Sequence, residues 1–159
     1  MSSGARRVLI TGASAGIGRA CAEDLHAAGW AVTGASRRGT TSGGWTGLVM
    51  DVDDDESVRA GVTGMLADGP IDALVASAGW GLAGAVELCT IGEAKAQLET
   101  NFWGCVRVLQ QVLPAMRAHG GGRRCGLRRR PDRGRRPDGT RRGERRARCR
   151  RRRRGAAGA

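Results

Sequence analysis

The chain has 159 residues and a formal net charge of +12, enough length for one domain with a moderate core. The charge is unevenly placed: residues 1–122 carry nine Lys+Arg against twelve Asp+Glu, and residues 123–159 carry 18 arginines against three acids. A uniformly basic protein is thereby excluded, and the two parts are read separately. No apolar run is long enough to span a bilayer, and His26 and His119 are too few for a histidine metal cluster. Cys21, Cys89, Cys105, Cys125 and Cys149 form no CxxC pair, and no apolar segment follows the start. Reduced thiols in a cytoplasmic protein are the expectation.

In chain order, Met1–Ala5 reads as a loose tail and Arg6–Thr11 as a short apolar strand. The strand breaks at Thr11-Gly12 and restarts as a helix over Ile17–Ala28, which Gly29 ends. His26 falls on this helix. Trp30–Ala35 is a second strand, followed by Ser36-Arg37-Arg38 and a loop of helix breakers at Gly39–Gly44. Leu48–Asp51 is a third strand. The acidic run Asp53–Glu56 then suits a helix N-terminus, whose macrodipole favours anions, and that helix runs to about Ala67. Ile71–Val75 is a fourth strand that stops at the small residues Ala76-Ser77-Ala78-Gly79. Gly81–Thr90 reads as a loop, and Ile91–His119 as one long helix kinked near Pro114.

The glycines after the first strand, Gly12, Gly16 and Gly18, follow a GxxxGxG spacing. Strand, glycine turn and helix start together make an anion site, because glycine lets backbone approach a phosphate and unpaired helix N–H groups point at it. Alone, the same spacing fits a tight turn that binds nothing. The alternation of strands and helices decides for a parallel sheet with right-handed crossovers. In such a sheet ligands bind beyond the carboxyl ends of the strands. Thr11-Gly12, Ser36-Arg37, Asp51-Val52 and Ala76–Gly79 all fall at those ends. The fold class is therefore α/β, a Rossmann-type doubly wound parallel sheet.

These motifs resemble the short-chain dehydrogenase/reductase family between Arg6 and about Arg123. Thr11-Gly12-Ala13-Ser14-Ala15-Gly16-Ile17-Gly18 is similar to that family's TGxxxGIG coenzyme loop, and Asp51-Val52 to its adenine-contacting pair. Ala76-Ser77-Ala78-Gly79 stands where the family usually has NNAG, with two amides replaced. Thr100-Asn101, with Phe102 and Gly104, resembles the helix segment of the catalytic Asn; without the resemblance Asn101 reads as a solvent-facing helical amide. Val112–Met116 followed by Gly120–Arg123 resembles the run into a fifth strand.

The resemblance implies a coenzyme site built from Thr11, Gly12, Ser14, Gly16, Ile17, Gly18, Ser36, Arg37, Asp51, Val52, Ser77, Ala78 and Gly79. It implies hydride transfer between a nicotinamide coenzyme and a small carbonyl or alcohol substrate, in a homo-oligomer. NAD-selective sites place a carboxylate after the second strand, whereas this chain has Ser36 and two arginines there. Arg37 is either an exposed basic turn or a fork for a 2′-phosphate. NADP is preferred over NAD on that basis.

The family's chemistry also needs a Ser, and a Tyr whose phenol a nearby Lys brings down from a pKa of about 10. This chain has no Tyr, its one lysine is Lys95, and no Ser follows Ser77. Asn101 alone of the catalytic group is carried over, so family-type catalysis is not expected of the chain as written.

After Gly122 the family pattern stops and R-R-C-G-L-R-R-R-P-D-R follows. Three readings compete: a disordered nucleic-acid- or anion-binding arm, a solvated tail without function, and an out-of-frame translation. Reading the codons of Arg124–Leu127 one base later permits Val-Val-Val-Ser, a strand-like run, though no Tyr is recovered. The frameshift is favoured, since the break abuts a family motif and the tail lacks the aromatics usual in single-strand binders. Residues 1–122 are then a truncated dinucleotide-binding domain. Its fourth strand would be an uncovered edge, and the product is expected to fold partially and to bind NADP weakly if at all.

Overall fold

The structure is a computed structural model that describes residues 4–39 and 43–120. The arginine-rich tail with its expected disorder and frameshift, residues 121–123 at the end of the run into a fifth strand, residues 1–3 of the expected N-terminal tail and residues 40–42 of the expected loop lie outside the described residues. Val112–Met116 of that run is instead part of the helix Cys105–Ala118. Four strands, β1 (Arg7–Thr11), β2 (Ala31–Ser36), β3 (Thr46–Val49) and β4 (Ala73–Ala76), form one parallel sheet in the order β3-β2-β1-β4. The order reverses beside β1, so the polypeptide leaves β1 toward one side of the sheet and returns to β4 on the other. That switch point is where doubly wound sheets bind ligands.

Helix α1 (Gly16–Ala27) covers one face, and α2 (Asp55–Ala67) and α4 (Cys105–Ala118) cover the other. Alternation along β1 divides the core. Val8 and Ile10 pack with Ala22, Val32 and Trp45 on the α1 side. Leu9 packs with Met50, Val58, Val62, Ile71, Val108, Val112 and Met116 on the other. The spacing Val108, Val112, Met116 is one buried stripe of α4. A sheet covered on both faces explains why β1 reads as a continuous apolar run rather than as an alternating one. Each fully buried side chain of this size contributes about 1.5–3 kcal/mol relative to exposure.

Polar side chains fix where the helices start and stop. Asp54 caps α2, accepting from Ser57 N at 2.8 Å, with Asp55 and Glu56 in the first turn. At the other end of α2, the Arg7 guanidinium donates to the carbonyls of Met65 (2.8 Å) and Gly69, placing a cation at the negative helix end. Helix α1 closes with Gly29 N donating to His26 O at 2.9 Å and Trp30 N to Leu25 O at 3.0 Å.

The expected single helix over 91–119 is three elements: α3 (Ile91–Leu98), a π-helical turn at Glu99–Gly104, and α4. The distortion is not at Pro114, which lies exposed within α4. Packing explains the difference. Gly104 is pressed against the β3–α2 loop, where an added Cβ would lie 2.8 Å from Val52 Cγ2. Arg107 ties the same segment down by donating to Glu99, Asp55 and the Val52 carbonyl. The widened turn accommodates both constraints while Thr100 and Asn101 bond the loops that follow β3 and β4, at Asp53 and Trp80. The loop 81–90 holds a short 3₁₀ turn, Val86–Leu88.

Candidate active site

The loop after β1 is built around two close approaches. A Cβ at Gly12 would lie 2.8 Å from Ala78 Cα and N, and Gly12 has φ +70°. A Cβ at Gly18 would lie 2.5 Å from both the Gly12 carbonyl oxygen and Ser77 Oγ. The glycines therefore let α1, the loop and the end of β4 pack together with no side chain between them. Gly16, with φ +56°, has nothing within 4 Å of a Cβ position and opens the start of α1 to solvent. Ala15 sits at the N-cap and offers no side-chain hydrogen bond. By contrast, α2 has the Asp54 cap and α3 the Thr90–Glu93 capping box. The α1 terminus thus keeps its N–H groups and partial positive charge available to an anion.

Thr11 stitches the ends of β1 and β4. Its hydroxyl accepts from Ser77 N and Ala78 N, each at 3.1 Å, and its carbonyl accepts from Ser77 Oγ at 2.6 Å. It is buried and does not line the cleft. The other twelve residues expected at the coenzyme site line one hollow of about 770 Å³ beyond the carboxyl ends of the strands: Gly12, Ser14, Gly16, Ile17, Gly18, Ser36, Arg37, Asp51, Val52, Ser77, Ala78 and Gly79. A second hollow of about 570 Å³ runs along β3 and the first residues of β1 and β2, and none of the expected site residues lines it.

Within the cleft the polar groups are unevenly distributed. Arg37 is exposed at the end of β2 and makes no ion pair among the described residues. Asp51 turns the chain after β3: its Oδ1 accepts from Asp53 N at 3.1 Å, and its own N donates to Ser57 Oγ at 2.9 Å.

Asn101 uses both polar atoms of its side chain on one backbone residue. Oδ1 accepts from Trp80 N and Nδ2 donates to Trp80 O, each at 2.9 Å. It stands behind Gly79, where a Cβ would meet Oδ1 at 2.7 Å, and it is not among the cleft-lining residues. Besides Ala15, Ala35 and Met50, three polar or aromatic residues not anticipated from the sequence line the cleft: Trp80, Thr100 and Asp53. They form a chain in which Trp80 Nε1 donates to Thr100 Oγ1 at 3.3 Å, and Thr100 Oγ1 donates to Asp53 Oδ2 at 2.8 Å. No spacing rule marks them, since they come from three separate segments that only the folded sheet brings together.

The glycine cradle, the uncapped helix and the strand-end residues define what the fold offers. A family model described as short chain dehydrogenase matches residues 6–123. The chain belongs to the short-chain dehydrogenase family.

Among the relatives of this short-chain dehydrogenase chain, a 3-ketodihydrosphingosine reductase of Bacteroides thetaiotaomicron is 42% identical over 112 residues. The match covers 69% of this chain and 42% of that protein. A short-chain dehydrogenase of known structure from Streptomyces avermitilis superposes with a TM-score of 0.70 at 35% identity, covering 76% of this chain and 48% of that one. An actinorhodin polyketide ketoreductase solved with NADPH superposes with a TM-score of 0.68 at 29% identity, covering 77% of this chain and 52% of that one. The chain spans less than half the length of the curated relatives it matches.

Proposed function

We propose that this chain carries the coenzyme cleft of an NADP-preferring short-chain oxidoreductase and, in place of the weak binding expected from the truncation, that it binds the coenzyme by itself without turnover, because twelve of the thirteen expected residues already line one cleft. The observation that carries the reading is the gathering of twelve separately expected residues around one hollow at the switch point of the sheet. The donor set suits a dinucleotide. The pyrophosphate would lie over Gly12–Gly18 at the uncapped start of α1, and the adenosine ribose would lie beyond β2. Arg37, an exposed fork with no carboxylate partner among the described residues, suits a 2′-phosphate. Asp51 and Val52, at the end of β3, would border the adenine. When bound, the coenzyme supplies a hydride donor or acceptor for a carbonyl or alcohol carbon.

This chain's own residues hold and orient. Thr11 and Ser77 fix the floor of the cleft, and Asn101 fixes the Gly79-Trp80 wall. Nothing in the sequence can act as the phenolic acid–base of such a reaction, because there is no tyrosine. Among the described residues Cys21, Cys89 and Cys105 form no disulfide, which suits the cytoplasm, and no helix is long and apolar enough to cross a membrane.

The reading is tested by titrating NADPH into the full 159-residue chain under thermal denaturation, beside a carbonyl-reduction assay with the same preparation. Saturable stabilisation with no NADPH oxidation is the expected pair of results. Unchanged melting at saturating NADPH would remove the coenzyme assignment, and measurable turnover would remove the claim of a binding-only chain.

A further inference from the structure

Among the described residues, the one aromatic side chain lining the cleft is Trp80, and it is held at both ends. Its backbone is clamped by Asn101 through N and O and again by Gln97 Nε2, which donates to Trp80 O at 3.2 Å. Its indole is aimed by Thr100, which is itself bonded to Asp53. An exposed tryptophan on a loop would ordinarily sample several rotamers. Here four hydrogen bonds from α3 and the π turn hold it, one of them made by the indole to Thr100, which Asp53 fixes in turn, while the residue remains 42% exposed.

The position along the cleft defines what such a ring would meet. The anion cradle lies at β1, and the ribose position lies beyond β2 at Ser36-Arg37. A nucleotide continuing in the same direction places its base at the end of β3, beside Asp51–Asp53. The chain of bonds from Trp80 through Thr100 ends on Asp53, so the indole is anchored to that end of the cleft. We infer that Trp80 is a base-stacking plate, its ring preset by Thr100 and Asp53 to lie against the adenine of the bound dinucleotide. The inference rests on the coenzyme reading of the cleft and adds a residue to it. Stacking needs a flat π-face and no particular hydrogen-bond pattern, so this contact supplies affinity for the base while Arg37 discriminates at the ribose.

The test uses the full chain and two ligands, NADPH and adenosine 2′,5′-bisphosphate, the latter carrying only the adenine half. Affinities come from calorimetry and are read beside tryptophan fluorescence. Trp80→Ala should weaken both ligands by roughly ten- to a hundredfold, the usual cost of losing a base–aromatic stack. Trp80→Phe, which keeps a ring but not the indole N–H, should retain most of the affinity. It should also lose most of the ligand-induced fluorescence quenching, a change that a purely structural role would not produce. Melting curves of the variants establish that each is folded. NADPH binding that is unaltered in Trp80→Ala overturns this inference and leaves the coenzyme reading standing. Tighter binding in that variant overturns it too, because the indole would then be filling the base position. A wild-type chain that binds neither ligand overturns both.

Discussion

Gly18 and Gly64 both lie inside helices of this protein, and the same substitution at each should act with opposite sign. In an open helical position, Gly→Ala stabilises by about 0.5–1 kcal/mol, because alanine loses less backbone entropy on folding. Gly64, in α2, has nothing within 4 Å of its Cβ position and is exposed. Gly64→Ala should therefore gain close to that full amount. At Gly18 the new methyl would lie 2.5 Å from the Gly12 carbonyl oxygen and from Ser77 Oγ. Ordinary contact begins near 3.4 Å, so about 1 Å must be recovered. The carbonyl is backbone and cannot rotate aside, and Ser77 is tied to Thr11 O. The start of α1 must move away from β4, a rearrangement that costs roughly 1–3 kcal/mol for overpacking, only partly offset by the helix-propensity gain. The net expectation is a loss of about 1–2 kcal/mol. Urea titration followed by far-ultraviolet circular dichroism measures both variants, with the midpoint moving at constant slope. Equal stabilisation of the two variants would refute the close approach of α1 to the end of β4, and with it the cradle.

Other consequences follow from single contacts. Asn101→Ala removes both bonds to the Trp80 backbone; at a solvent-exposed site this should cost about 1 kcal/mol, and hydrogen exchange at the Trp80 amide should accelerate. Glu93 is held below the ordinary glutamate range by hydrogen bonds from the Thr90 backbone and side chain. Its folded-state value is depressed, so its contribution is fully present above the unfolded value and is lost as pH falls through the folded one. Amide protection at the start of α3 should therefore decline on acidification through that window, and Thr90→Val should flatten the dependence; an identical pH profile in the variant would contradict the capping box. Arg107, whose guanidinium is held charged chiefly by its hydrogen bond to Glu99 with Asp55 adding to it, pins the π turn. Arg107→Met should destabilise by about 1 kcal/mol, a modest value because Asp55 is largely exposed, and the loss should shrink at high salt.

The sheet and its cleft were largely legible because they rest on local signals. Apolar runs ended by small or polar residues mark β1 to β4, and a parallel sheet necessarily brings their carboxyl ends to one edge. Strand limits shifted by one to two residues where pairing with a neighbour rather than composition sets them, as when β3 begins at Thr46, opposite Thr33 of β2, rather than at Leu48. The break in the long helix was misplaced because proline is a visible local signal, whereas the π turn arises from contacts of Gly104 with Val52 and of Arg107 with Asp55, about fifty positions apart in the chain. The same limit hid Trp80, Thr100 and Asp53. Each residue type is unremarkable alone, and their relation exists only across the folded cleft. Thr11 illustrates the reverse case: the motif marks it correctly as part of the loop, yet its hydroxyl serves the backbone of the neighbouring strand rather than the cleft.

Calorimetric titration of the full chain with NADPH and with NADH, repeated on Arg37→Leu, tests the central proposal most directly. A charge-assisted contact to the 2′-phosphate predicts that the unaltered chain binds NADPH roughly ten- to a hundredfold more tightly than NADH, and that Arg37→Leu erases the difference by weakening NADPH alone. Equal affinity for the two coenzymes, or a preference that survives the substitution, would contradict the assignment of this cleft to NADP.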